Sequence, residues 1–344
     1  INAGENVCFF NSVIQVFYSL PSFRAHIFAT VSENNVVMKI RQLFREMETS
    51  PIVHTYPIVT ALSIPYYHDK EQIDALEVVS FLIENCFERD YSVFKMNEVT
   101  STMCRNCNKE SIVTYDVPLI SLDVAHVEIQ RISALLDKRF DHHGYARPDY
   151  RCEIEDKTDA NGIRQGCGMT GFCDVSNDLI IGSDYMIIQL KIFSEDDFGR
   201  RTKIFPKLII DEEVHRYELL DLQAIIWHQG LSFQQGHYTA HVRVEGTWYN
   251  TDDITIKKSD PFMCNSDSDR VPYIVVYRKR NSSNRLVDIP FGNVSRDLSS
   301  TFNVNDSNSA CIGSVGSNLI NNGTPKKRTF DDNFDVQNSL KAMK

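Results

Sequence analysis

Residues 8–20 leave the chain little choice of structure. Phe9, Val13, Ile14, Phe17 and Leu20 recur at helical spacing, and Pro21 stops the run. The residues before it, Asn2-Ala3-Gly4-Glu5-Asn6-Val7, read as a polar loop, so Cys8 stands where loop turns into helix. At a helix start the open backbone N–H groups and the helix dipole favour negative charge. A thiol placed there gives up its proton more readily than a free cysteine, and the thiolate is the nucleophile. The competing role for Cys8 is packing, because free cysteines are among the most buried residues. A base, an orienting group and an oxyanion donor elsewhere in the chain would decide for chemistry.

Composition narrows the partners. The 344 residues carry a formal net charge of -10, which argues against nucleic acid and suits a partner with a basic surface or tail. No run of about 18 apolar residues occurs, so no membrane-spanning helix is expected. Nine cysteines at uneven spacings, without a basic-then-apolar leader, point to an intracellular compartment, cytoplasm or nucleus, with thiols serving metal or catalysis. Ile1 is expected to be an internal position of a longer reading frame.

Along the chain, residues 1–50 read as helical, with a second amphipathic segment from about Val36 to Met47. A further helix is expected over Gln72–Ile83, with Asp74 and Glu77 on its polar side, where a solvated acidic face is the plain reading. From Phe94 the pattern turns to strands. Tyr185–Phe193 reads as a buried strand, and Tyr217–Trp227 as another, followed by His228-Gln229-Gly230 as a polar loop. Gly236–Val244 and Trp248–Asp253 read as a hairpin around Glu245-Gly246-Thr247. In such a hairpin His237 and Asp252 can be cross-strand neighbours. After Arg280 the composition falls to Ser, Asn, Asp and Gly, so a folded domain over 1–280 and a disordered tail over 281–344 are expected.

Two chemical groupings emerge. Cys8, His237 and Asp252 can form a triad in which the imidazole takes the thiol proton and the carboxylate fixes the ring's tautomer. Cys104-Arg105-Asn106-Cys107 can chelate one Zn2+ through a tight turn. A tetrahedral site needs two more ligands. Cys152 is a candidate, but its C-x-x-C partner position is Glu155. Cys167 or Cys173 would complete the set, with His142 and His143 less suited. A set of free thiols is the other reading.

At this point the chain resembles the ubiquitin-specific protease family of deubiquitinases over about residues 1–280. Asn2…Gly4…Asn6-Val7-Cys8-Phe9-Phe10-Asn11-Ser12…Gln15 is similar to the cysteine box. Gln72…Asp74-Ala75-Leu76-Glu77 is similar to the Q-x-D-A-x-E segment, and Phe94…Cys104-x-x-Cys107 to the start of zinc-ribbon fingers. Gln189-Leu190-Lys191…Phe193 resembles the central strand, with Ile192 where arginine is usual. Tyr217…His228-Gln229-Gly230…Gly236-His237-Tyr238…Trp248-Tyr249…Asp252-Asp253 resembles the histidine box. The closing strand is matched by Tyr273–Tyr277. The resemblance implies an α+β, papain-like cysteine peptidase with a right-hand architecture: helical thumb, β palm and β zinc-ribbon fingers inserted over about 94–190.

It further implies hydrolysis after the C-terminal glycine of ubiquitin by Cys8, His237 and Asp252, with Asn2 as oxyanion donor. Gln15, Asp74, Glu77 and His228 would line the groove for the ubiquitin tail. Ubiquitin and ubiquitinated proteins are the implied partners, with no cofactor for catalysis and a structural zinc on Cys104, Cys107, Cys152 and Cys167. Asn2 lies six residues before Cys8 where the family has five, as if Glu5 were inserted. Two alternatives stay open: a protease for another ubiquitin-like modifier, and a ubiquitin-binding module with impaired catalysis.

Overall fold

The computed structural model describes residues 5–65, 67–68, 71–87, 92–126, 128–140, 150–152, 157–158, 164–165, 167–171, 173–195, 201–216, 218–232, 235–263 and 269–280. The expected disordered tail over 281–344 lies outside them. Five helices come first: α1 (Cys8–Ser19), α2 (Pro21–Ala29), α3 (Asn35–Thr49), α4 (Tyr56–Leu62) and α5 (Ala75–Cys86). The chain then runs through β1 (Met96–Cys104), β2 (Glu110–Val117), β3 (Ile120–Asp123), β4 (Ile129–Arg131) and α6 (Ile132–Phe140). Short pieces follow as β5 (Lys157–Thr158) and β6 (Arg164–Gln165), then β7 (Cys173–Ile181) and β8 (Tyr185–Lys191). Next come β9 (Phe193–Glu195), β10 (Arg201–Lys203), β11 (Lys207–Ile209) and β12 (Glu213–Arg216). The last strands are β13 (Glu218–Ser232), β14 (Gln235–Val244), β15 (Thr247–Asp252), β16 (Thr255–Lys258) and β17 (Arg270–Lys279).

Two sheets matter for function. An eight-stranded sheet has the order β16-β15-β14-β13-β17-β8-β3, with β12 paired to β13. A three-stranded antiparallel sheet, β2-β1-β7, stands apart from it and ends at Cys104 and Cys173, which face each other in register. The helix α1 lies against β14, α5 and α2. Nearly every residue of α1 is buried, so the apolar spacing read from the sequence marks a central helix rather than a surface one. Aromatic rings fasten this helical layer to the sheet. Phe17 meets Phe23 edge-on at 4.8 Å between centroids, Phe23 meets Phe94 at 5.9 Å, and Phe94 meets Tyr185 of β8 at 5.9 Å.

Two sequence expectations change. The strand β13 runs through His228, Gln229 and Gly230, which had read as a loop. His228 pairs with Tyr238 and Gln229 with His237, and the irregularity falls later, between Gln229 and Ser232, where Gly230 takes φ 114°. Polar residues here do not break the strand, because ladder bonds on both sides hold their backbone. The helix α5 starts at Ala75, not Gln72, because Asp74 caps it. Its Oδ1 accepts from the Leu76 N–H at 2.9 Å, a local bond that competes with helical geometry. Its Oδ2 accepts from the hydroxyl of Tyr273, a residue 1% exposed on β17, at 2.7 Å. Asp74 therefore does not sit on a solvated helix face.

Asp74→Ala is accordingly expected to lower stability by about 2–4 kcal/mol in urea unfolding, from the lost cap and the stranded Tyr273 hydroxyl together. Glu77→Ala, on the exposed side of α5, is expected to change it by less than about 0.5 kcal/mol. Equal effects of the two substitutions would remove the capping role.

Candidate active site

Cys8 is the first residue of α1. No side chain caps this end of the helix, and Asn6 just before it takes a left-handed φ of 51°. The loop therefore turns sharply and delivers the thiol to the helix N-terminus. Facing it, β14 begins with Gln235-Gly236-His237. The turn from β14 to β15 puts Glu245 at φ 49° and Gly246 at φ 77°, a pairing suited to the twist of a two-residue hairpin. The register that pairs Ala240 with Thr251 places Asp252 diagonally across from His237, on the same face.

His237 Nε2 and Asp252 Oδ1 are 2.6 Å apart, which leaves Nδ1 of the ring for Cys8. The bond with Cys8 is the main reason the imidazole is pushed up to about 9; burial works against it, and Asp252 adds to it. The structure thus brings together three of the expected residues from opposite ends of the domain. The fourth, Asn2, lies outside the described residues.

Other polar contacts complete the constellation, and the sequence reading had not assigned them. Gln72 Nε2 lies 3.0 Å from Cys8 Sγ and 2.7 Å from Gly236 O, while Gly236 N–H donates to Gln72 Oε1 at 3.2 Å. Asn11, one turn beyond Cys8, donates from Nδ2 to Asp253 Oδ1 at 2.7 Å and accepts from Thr55 Oγ1 at 2.6 Å. An amide at Asn11 in a helix whose residues are nearly all buried is the signal that could have marked it, since buried amides need partners.

The expected groove residues divide. Gln15 is half-buried on α1, Asp74 is half-buried at the α5 cap, and Glu77 is exposed one turn later. His228 requires a correction: it is 0% exposed, so it cannot touch a ligand here. Its ring lies edge-on to Tyr238 and Phe193, at 4.8 and 5.2 Å. Burial first, then the charges of Lys203 and His237, push it down to about 3, so it is neutral. It supports the site from behind. A Cβ built on Gly236 would lie 2.3 Å from His228 Nε2, so this position needs glycine for close approach rather than for backbone freedom.

The family profile of ubiquitin carboxyl-terminal hydrolase matches residues 1–277. The chain belongs to this family. Ubiquitin carboxyl-terminal hydrolase 7 of Caenorhabditis briggsae is 21% identical over 335 residues, 86% of this chain and 29% of the relative. Ubiquitin carboxyl-terminal hydrolase 26 of Arabidopsis thaliana is 23% identical over 300 residues, 77% of this chain and 26% of the relative. The chain spans under a third of the length of these curated relatives. Among solved structures, the SAGA Ubp8/Sgf11/Sus1/Sgf73 DUB module bound to ubiquitin aldehyde matches with a TM-score of 0.65 at 17% identity, over 82% of this chain and 69% of that one. A yeast SAGA DUB module with a mutant Sgf73 gives 0.64 at 17%, over 80% and 67%. These likenesses show a shared fold, the α+β ubiquitin-specific protease architecture. No described helix is long and apolar enough to cross a membrane.

The cysteine cluster lies at the end of the three-stranded sheet. Cys104, Cys107, Cys152 and Cys167 offer sulfurs that all lie within 4.8 Å of one another. Cys104 Sγ is 3.5 Å from Cys167 Sγ, and Cys107 Sγ is 3.8 Å from Cys152 Sγ. Four sulfurs about 2.3 Å from one tetrahedral zinc stand about 3.8 Å apart, so the donor set fits that ion. The pair that looked broken in sequence is rejoined in space. Cys152 N–H donates to Met169 O at 2.8 Å, Gly168 N–H donates to Cys152 O at 3.2 Å, and Arg151 bridges Thr170. The hairpin pair β5–β6 falls between the two halves in sequence. Gly168, at φ 70°, and Asn108, at φ 54°, turn the chain just after Cys167 and Cys107. A bound zinc would brace the sheet end and would take no part in reaction at Cys8.

Elemental analysis of the purified chain is expected to give one zinc per molecule. Cys152→Ser or Cys167→Ser should release it, whereas Cys173→Ser should retain it, because Cys173 lies outside the cluster. Zinc retained in both of the first two variants would break this ligand assignment.

Proposed function

We propose that this chain is a deubiquitinating cysteine protease. It hydrolyses the isopeptide or peptide bond after the C-terminal glycine of ubiquitin, with Cys8 as nucleophile, His237 as acid and base, and Asp252 as orienter. The observation that carries this reading is His237 held 2.6 Å from Asp252 with Cys8 as the main cause of its raised basicity, and Cys8 at a helix start without a side-chain cap. Membership of the ubiquitin carboxyl-terminal hydrolase family supplies the substrate class.

In this reading the proton of Cys8 rests on His237, and Asp252 holds the ring in the tautomer that presents Nδ1 to sulfur. The thiolate attacks the glycine carbonyl carbon, and the Cys8 backbone N–H at the helix start is proposed to donate to the developing oxyanion, with Asn2 proposed as the second donor. His237 then gives its proton to the departing lysine amine. A water, deprotonated by the same ring, hydrolyses the thioester and restores the pair. We assign the extended, arginine-bearing ubiquitin tail to the acidic mouth formed by Asp74 and Glu77, with Gln15 along the approach. Asp74 gives its oxygens to Leu76 and Tyr273, and Glu77 is exposed one turn later, where an incoming arginine can reach it. Residues 1–280 are proposed as the catalytic domain, with the three-stranded sheet as its fingers.

Cys8→Ala should abolish hydrolysis of a ubiquitin–fluorophore amide and still bind ubiquitin, because the thiol does covalent chemistry; wild-type turnover in that variant would overturn the assignment. A panel of other modifier–fluorophore substrates separates ubiquitin from its relatives. Glu77→Ala should raise KM about tenfold, the size of one lost charge-assisted hydrogen bond, with the unfolding midpoint unmoved. The pH profile follows from His237. Its pKa lies above the ordinary 6.5, so the imidazolium persists at neutral pH and is lost as pH rises through about 9. Turnover should therefore hold across neutrality and fall on that alkaline limb. A limb near 6.5 in the measured kcat profile would remove the thiolate–imidazolium pair.

A further inference from the structure

We infer that Gln72 is a catalytic residue: its side-chain amide donates to the Cys8 thiolate and, through the same group, pins the backbone beside His237. This rests on the proposed role of Cys8 as nucleophile.

The direction of the amide is fixed by its partners rather than by convention. Gly236 N–H can only donate and Gly236 C=O can only accept. Gln72 bonds both, so its Oε1 must face Gly236 N, at 3.2 Å, and its Nε2 must face Gly236 O, at 2.7 Å. A planar amide that uses one N–H this way has one left. That second N–H is the group 3.0 Å from Cys8 Sγ. A reversed amide would lose both backbone bonds and turn an oxygen towards sulfur. Cys8 therefore meets an N–H donor, with its sulfur as the acceptor.

The clamp has a firm backing on each side. Gly236 lies tight against the buried ring of His228, where even a methyl group would fall 2.3 Å from Nε2, so the glycine cannot retreat from the amide. Gln72 precedes Asp74, whose bonds to Leu76 and Tyr273 anchor the segment to both α5 and β17. Three pieces of chain thus converge on one amide: the α5 approach, the α1 nucleophile and the β14 base. The residue next to Gly236 is His237, so the bond that steadies Gly236 also limits how far the imidazole can drift from sulfur.

The step it serves balances without any added reagent. The thiol proton moves from Cys8 to His237, and the charge left on sulfur is shared with the Gln72 N–H. On attack, the sulfur lone pair forms the C–S bond and the charge passes to the carbonyl oxygen. The Gln72 donor is then released from a full negative charge, and it regains one when the thioester is hydrolysed.

The test uses the full chain and two substitutions. Gln72→Met keeps the length and removes every polar atom. Gln72→Glu keeps an acceptor for Gly236 N–H but puts an oxygen where the donor was. The readouts are the pH dependence of Cys8 alkylation by iodoacetamide, kcat and KM on a ubiquitin–fluorophore amide, and thermal melting. Loss of the donor should move the acid limb of alkylation upward by about one pH unit, the scale of a hydrogen bond to a charged group. It should lower kcat about tenfold or more with KM within about twofold, and Gln72→Glu should show the larger shift. An unmoved alkylation limb in both variants overturns the inference even where kcat falls, since that pattern belongs to a structural role. Should Gln72→Glu fail to fold, Gln72→Met decides alone. A wild-type chain that leaves Cys8 unlabelled by a ubiquitin C-terminal electrophile would instead fail the functional reading, and the alkylation profiles would still report on Gln72 and Cys8.

Discussion

Everything at this site depends on holding one end of α1 against the first residues of β14 to within a hydrogen bond. Cys8 and His237 are separated by nearly the whole folded chain, and neither element positions the other through sequence-local contacts. Two side-chain amides perform the alignment. Asn11 ties the second turn of α1 to Asp253, just past the strand that carries Asp252. Gln72 ties the approach of α5 to Gly236. Each net hydrogen bond contributes only about 1 kcal/mol to stability, so these bonds do not hold the layers together. The apolar contact of α1 with the sheet and the ring cluster of Phe17, Phe23, Phe94 and Tyr185 do that. The amides choose one seating among the many that apolar packing alone would tolerate.

Much of this was legible in the sequence where the physics is local. The helix after Cys8, the hairpin bearing His237 and Asp252 and the closing strand follow from spacing and turn residues. The α5 boundary was misplaced because a capping aspartate looks like a polar helical position until its partner, Tyr273, is known to stand 199 residues away. His228 was placed in the groove by the family resemblance, and its polar triplet read as a loop; the pairing of β13 with both β14 and β17 shows that the triplet is interior strand. Gln72 was visible as a letter in a motif, but its role is set by an oxygen and a nitrogen that belong to Gly236. Long-range partners of this kind leave no periodic trace.

The packing behind the histidine explains why a neutral His228 is compatible with a protonated His237. The two rings lie near enough for the charge of one to lower the other's basicity. Burial takes His228 down, whereas the Cys8 and Asp252 bonds take His237 up. One proton is therefore assigned to one ring, and the site avoids two adjacent cations.

The divided cysteine pair has a consequence for how this family member can vary. Cys152 and Gly168 are joined by a backbone hydrogen bond, so the chain leaves the metal-ligating turn and re-enters it at neighbouring points. An excursion that begins and ends at touching residues places almost no geometric demand on what lies between. Doubling its length would cost about 0.6 kcal/mol of closure entropy, little against the binding energy of a four-thiolate zinc. The second half of the ribbon thus acts as a port in the framework. Sequence there can lengthen, shorten or be replaced by a foreign segment while the four sulfurs keep their places, and the grip at the sheet end is insulated from whatever the port carries.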